Sequence, residues 1–181
     1  MVNAKLRNWV FVRVDTSEPG LYGVGEATLE FQSRAVAARV EEFAELLLNK
    51  DPRDIAWLWE AMFRYPFFRG GAVTMSAISG IDQALHDIQA KALGVPLWRL
   101  LGGLARTRVQ MYDHVGGGDS SAVYGDLDEV MAERVAASKA EGFTAIKILA
   151  VPKTRPIDGI SALREAERVM HSAREAGGED M

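Results

Sequence analysis

Four side chains in this 181-residue chain combine a useful functional group with a place from which to use it. His114, in Tyr112-Asp113-His114-Val115-Gly116-Gly117, follows a strand-like run and stands just before a glycine-rich loop. An imidazole there can donate or accept a proton, or hydrogen-bond a hydroxyl. Lys147 lies in the apolar run Phe143 to Val151, where the bland alternative is an interior lysine paired with a carboxylate. Arg69 belongs to Arg64-Tyr65-Pro66-Phe67-Phe68-Arg69-Gly70-Gly71, a break between two helical patterns. Its aromatics and arginines suit a substrate lid as well as a packed connector. Tyr22 opens Tyr22-Gly23-Val24-Gly25, and glycines at those strand positions imply close approach by packed protein or by a ligand.

The remaining candidates carry less chemistry. Asp82 and Asp87 stand at i and i+5 on one helical pattern, off a shared face, and read as local hydrogen-bonders rather than a metal pair. His86 reads as structural and His171 as a solvated helix residue. With no cysteine there is no disulfide framework, thiolate metal site or thiol nucleophile. No set of metal ligands is assigned.

The elements that must position these groups follow from periodicity. The stretch Thr74 to Gly103 organises the chain: Ile78, Ile81, Leu85, Ile88 and Ala92 recur at helical spacing, with Thr74 or Ser76 as a cap. Gly94 and Pro96 stop that helix, and a short turn, Leu97 to Leu101, ends at Gly102-Gly103. Before it, Asn8 to Val14 and Leu21 to Leu29 read as strands joined by a turn at Glu18-Pro19-Gly20-Leu21. Helices follow from Ser33, with Val36, Val40, Phe43 and Leu47 inward, and after an Asp51-Pro52 start, with Ile55, Leu58, Trp59 and Met62 inward. After Gly103 strands alternate with helices. Thr107 to Tyr112 is a strand, and a helix from Asp126 or Asp128 carries Leu127, Met131, Val135 and Ser138. Phe143 to Val151 is a strand covered on both faces, and a helix from Asp158 to Ala176 buries Ile160, Leu163 and Met170. The expected fold is an α+β domain over residues 1–105, followed by a parallel βαβα unit over 106–181.

Composition sets the class. Apolar residues are 48% and charged residues 25%, the usual globular balance. A net charge of −4 gives no reason to expect nucleic acid or an anionic membrane as partner. No apolar run approaches the ~18 residues of a membrane span, and no signal peptide opens the chain. The expectation is a soluble cytoplasmic protein.

Three pieces in this order resemble the enolase superfamily in its mandelate racemase and muconate lactonizing branch. They are Gly23-Val24-Gly25-Glu26-Ala27, the helix segment from Ala77 to Ile88, and Lys91-Ala92-Leu93-Gly94-Val95-Pro96-Leu97-Trp98 running into Leu101-Gly102-Gly103. Phe68-Arg69-Gly70-Gly71 followed by Met75-Ser76-Ala77-Ile78 is similar to the galactonate dehydratase-like acid-sugar dehydratases. The resemblance implies a capping domain followed by a modified (β/α) TIM-like barrel. Its chemistry begins with proton abstraction next to a carboxylate, giving an enediolate held by Mg²⁺. It places Lys147 at the first lysine of a Lys-X-Lys motif, where it neutralises the substrate carboxylate, and His114 at the barrel mouth. The second lysine of that motif is Leu149 here, which cannot accept a proton and argues against a two-base racemase.

A complete barrel needs roughly 250 residues, and Thr107 to Met181 provides 75. The expectation is therefore a truncated barrel, its first two βα units, without the family's three metal carboxylates, so that this chain alone binds no Mg²⁺. Glu179 and Asp180 are not those ligands by position. The readings left open are the amino-terminal portion of a Mg-dependent sugar-acid dehydratase, a catalytically inactive fragment with a binding or assembly role, and a racemase or cycloisomerase. Uncovered strand edges and apolar helix faces predict self-association or loose order over 107–181, with a homo-oligomer as the expected state.

Overall fold

A computed structural model describes residues 2–3, 8–115, 128–148, 150, 155 and 157–181. The chain divides into two compact units, Met1–Ala105 and Arg106–Met181.

In the first unit β1 (Val2–Asn3) pairs antiparallel with β2 (Asn8–Trp9), and β3 (Phe11–Asp15) pairs antiparallel with β4 (Tyr22–Glu26). The turn between β3 and β4 takes the expected form: Leu21 N–H donates to the Glu18 carbonyl at 3.1 Å and Gly20 holds φ +83°. Three helices follow, α1 (Ser33–Leu47), α2 (Ile55–Arg64) and α3 (Ala72–Ala92), and then the single turn α4 (Leu97–Leu100). Their apolar stripes meet in one core that includes Val10, Val12, Val36, Phe43, Leu58, Met62, Ile78, Ile81 and Ile88. The stripe on α3 is buried as the spacing requires, except that Ala92 at its end is exposed.

Helix starts differ from the sequence reading. The long helix begins at Ala72, with Gly71 at the N-cap, rather than after Thr74 or Ser76. Gly71 holds φ +80°, a backbone state that leads into a helix without a capping side chain. Asp51 does not cap α2, which begins at Ile55 after Asp54. Asp51 instead binds the Arg53 side chain and backbone N–H, and these hold its carboxyl down at about 2. The far end of α3 matches its signal: Val95 N–H reaches the Ala90 carbonyl and Gly94 N–H the Lys91 carbonyl, around Gly94 at φ +66°.

The glycines of β4 are explained by α3. A Cβ on Gly23 would lie 1.9 Å from the Ala84 carbonyl oxygen, and one on Gly25 would lie 1.9 Å from that of Gly80. The close approach is packed protein, not a ligand. It brings the helix within reach of β4's outer edge, where side chains at i, i+4 and i+8 take the place of a neighbouring strand. Asp87 accepts from Val24 N–H at 2.9 Å, and Gln83 accepts from Glu26 N–H while donating to the Glu26 carbonyl, both at 3.1 Å. Lys91 donates to the Tyr22 carbonyl at 2.8 Å and to Asp87 at 2.6 Å. An edge that would otherwise expose unpaired backbone groups is closed by one helix face. Burial pushes the Asp87 carboxyl up, but hydrogen bonds from Lys91 and Val24, with the lysine's charge, outweigh it and leave it below the ordinary carboxylate value.

In the second unit β5 (Asp113–His114) and β6 (Ile146–Lys147) pair in parallel, with α5 (Asp128–Ala140) and α6 (Ile160–Gly177) packed beside them. Val115, Met131, Val135, Val169 and Ala173 form its core, with Ile146, Ile148 and Ala150 against it. Three expectations are corrected here. Thr107 to Tyr112 forms no strand, and Val109, Met111 and Tyr112 are exposed, because among the described residues nothing pairs with it before Asp113. The ladder within Phe143 to Val151 spans only Ile146–Lys147. Helix α6 also turns its other side inward: Val169, Ala173 and Gly177 are buried, whereas Ile160, Leu163 and Met170 are 65, 69 and 50% exposed. Val169, Ala173 and Gly177 recur at a spacing of four and pack in the core with Met131 and Val135 of α5, a face that the larger apolar residues did not reveal. Leu127, Leu149, Pro152, Pro156 and the glycine-rich loop after Val115 lie outside the described residues.

Candidate functional site

The two catalytic candidates are neighbours. His114 and Lys147 are register partners across the parallel β5–β6 ladder, which sets their backbones about 4.8 Å apart with side chains on the same face. Alternation on both strands says which face. Asp113, Val115, Ile146 and Ile148 contact the helix layer, so His114 and Lys147 point the opposite way. Lys147 is exposed and His114 half-buried. The ladder thus sets an amine and an imidazole in neighbouring positions near the carboxyl ends of two parallel strands.

The backbone around this pair is held both across the ladder and from the helix side. Asp113 N–H donates to the Ala145 carbonyl at 3.1 Å, and the Asp113 carboxylate accepts a hydrogen bond from the Ser138 hydroxyl. Ser138 is 4% exposed. Its carbonyl in turn accepts from Phe143 N–H at 3.2 Å, closing α5 around Gly142 at φ +94°. Sequence reading placed Ser138 on the inward stripe but missed its polar partner, because a serine on an apolar face looks like a small filler. Asp113, beside the histidine, is the signal that would have found it.

The substrate-binding candidates of the first unit are not brought together. Arg69 is exposed in the loop before α3, next to Phe67 and Phe68, whose rings meet edge-on at 5.2 Å and are 91 and 86% exposed. Tyr22 sits at the opposite end of α3, where Lys91 bonds its carbonyl. The helix rises about 1.5 Å per residue, so its length exceeds the span of a small substrate. The Tyr22 ring is already engaged, with the Arg13 guanidinium 3.9 Å and the Lys91 ammonium 4.5 Å from its centroid. His86 Nδ1–H donates within its own helix to the Asp82 carbonyl at 2.9 Å, and His171 stands near Glu175 on the exposed side of α6. Asp82 lies near His86 one turn on within its own helix, whereas Asp87, expected to bond only locally, also reaches across to Val24 N–H on β4. Among the described residues no three His, Cys, Asp or Glu side chains lie close enough to share a metal ion, and no helix is long and apolar enough to cross a membrane.

Solved enolase-type chains are similar to this one over nearly all of its length. A member of the enolase superfamily from Salmonella Typhimurium matches 99% of this chain and 50% of its own, at TM-score 0.85 and 30% identity. An enolase from Pantoea ananatis, solved with D-gluconate and Mg bound, matches 96% of this chain and 48% of its own, at TM-score 0.76 and 26% identity. The chain belongs to the mandelate racemase/muconate lactonizing enzyme family, whose N-terminal domain matches residues 2–102. The D-galactonate dehydratase of Xanthomonas oryzae pv. oryzae is 42% identical over 170 residues, covering 94% of this chain and 42% of that protein. The chain thus spans less than half the length of that relative.

Proposed function

We propose that this chain is the amino-terminal portion of a sugar-acid dehydratase, working by proton abstraction next to a carboxylate, with its second unit the opening βα pair of the barrel. The observation that carries the reading is the register pairing of His114 with Lys147. Proton loss next to a carboxylate loads negative charge onto the carboxylate oxygens, and a fixed ammonium at those oxygens stabilises the charge as it develops. Lys147 takes that role. His114, beside it, hydrogen-bonds a substrate hydroxyl or handles its proton. Arg69, exposed beside two aromatic rings, is the substrate contact proposed for the first unit, while Tyr22 is assigned to holding β3, β4 and α3 together. The magnesium implied for the whole protein finds no binding set among this chain's described residues, so the reading rests on the amine and the imidazole. Leucine at position 149 favours a dehydratase over a racemase, since a racemase needs a second base.

The test joins this chain to the remaining part of the Xanthomonas relative. The chimera is expected to dehydrate D-galactonate in the presence of Mg²⁺, and Lys147→Met to abolish turnover with an unchanged circular dichroism spectrum. Wild-type rates in Lys147→Met would remove that residue from the site. A folded chimera inert towards sugar acids would overturn the dehydratase reading.

A further inference from the structure

We propose that Asp113 and Ser138 are positioning residues that decide which face of β5 carries the histidine, an inference that rests on the reading of His114 and Lys147 as the site. Strand β5 is two residues long, and its ladder to β6 is equally short. So short a ladder fixes register weakly, and a one-residue slip exchanges every side chain between the two faces. The alternative arrangement is an attractive one. It would set the Asp113 carboxylate beside the Lys147 ammonium and turn the His114 ring towards the helices, replacing the site with an ion pair.

Two anchors on the helix side oppose that slip. Val115 is buried in the core of the second unit at 4% exposure, and the Asp113 carboxylate is bonded to the Ser138 hydroxyl. The serine is itself well located, because its carbonyl closes the end of α5 on Phe143 N–H, four residues before Lys147. With Ser138 buried and Asp113 half-buried, a charge-assisted hydrogen bond between them is stronger than one in open water, and a partly buried carboxylate without its donor is costly. Removing the hydroxyl therefore pushes Asp113 towards Lys147, which is the direction that takes His114 out of the site. Asp113 acts through His114 and touches no reacting atom, so its part is placement rather than chemistry.

The experiment uses the whole 181-residue chain, isotope-labelled, with and without D-galactonate. In the wild type, nuclear Overhauser contacts between the His114 ring protons and the Lys147 side chain are expected. Ser138→Thr, which keeps a hydroxyl, and Asp113→Asn, which keeps an acceptor, are expected to retain them. Ser138→Ala is expected to lose them while the amide protection of α5 and α6 stays unchanged. Survival of the contacts in Ser138→Ala overturns the proposal. Loss of α5 and α6 protection in that variant also overturns it, since the pair would then hold the fold and not the imidazole. The sugar-acid reading is tested separately in the same samples. If Ser138→Ala loses the contacts but D-galactonate shifts neither His114 nor Lys147 in the wild type, the positioning stands and the substrate assignment falls.

Discussion

Replacing Asp87 with alanine removes the acceptor that closes β4 at Val24 and half of the pair formed with Lys91. The two bonds lost measure 2.9 and 2.6 Å. A hydrogen bond to a charged group contributes about 1.5–3 kcal/mol, and an N–H left without a partner adds to the loss. Water restores part of this, since the side chains of Asp87 and Lys91 are 25 and 43% exposed, so the ion pair itself adds no more than about 1 kcal/mol. The expected cost is about 2 kcal/mol, or a fall in melting temperature of roughly 10 °C for a unit of this size. All four tryptophans, at positions 9, 57, 59 and 98, lie in the first unit, so urea titration followed by tryptophan fluorescence reports on it alone. The pH dependence has a defined sign. A carboxyl held below its ordinary value stabilises the fold fully above the unfolded value of about 3.9, and that contribution is lost as pH falls through the folded value. The gap between wild type and Asp87→Ala is therefore expected to be constant near neutrality and to shrink in acid. A midpoint equal to wild type at pH 7, or a gap as wide at pH 3, would refute the reasoning.

Two further outcomes follow from packing. Gly25→Ala places a methyl group 1.9 Å from the Gly80 carbonyl oxygen, so α3 must back away from the hairpin at a cost of roughly 3 kcal/mol or more, read by the same urea titration. On α6, Ile160, Leu163 and Met170, with Ile157 just before it, leave apolar side chains exposed, which favours self-association. Sedimentation velocity over a range of concentrations is expected to show association that Leu163→Glu reduces, and a concentration-independent monomer in the parent chain would contradict this.

What could be read in the sequence divides along lines of local and non-local cause. Ile78, Ile81, Leu85 and Ile88 announced α3 because a three-to-four spacing is sufficient to bury a helix face. Gly94 marked its end because few other residues adopt that backbone state. The starts at Ala72 and Ile55 were harder, since neither uses a capping side chain. The inward face of α6 was misread because the buried row, Val169, Ala173 and Gly177, is made of smaller residues than the exposed isoleucine, leucine and methionine. At the candidate site, Lys147 was legible within its strand, but His114 was expected after a strand, Thr107 to Tyr112, that does not form, and the register between the two was not legible. It depends on a bond between residues 25 apart, Asp113 and Ser138, that no periodicity encodes.

The glycine stop after α5 has a consequence for how this chain tolerates change in length. From Gly142 the backbone runs straight into β6, and Lys147 is reached after a fixed count of five residues. Deleting or inserting a single residue among positions 143 to 145 would invert the phase of everything downstream. An isoleucine would then arrive where the ammonium belongs, with helix and strand otherwise intact. The connector's arithmetic, as much as the identity of the lysine, is what the chemistry inherits.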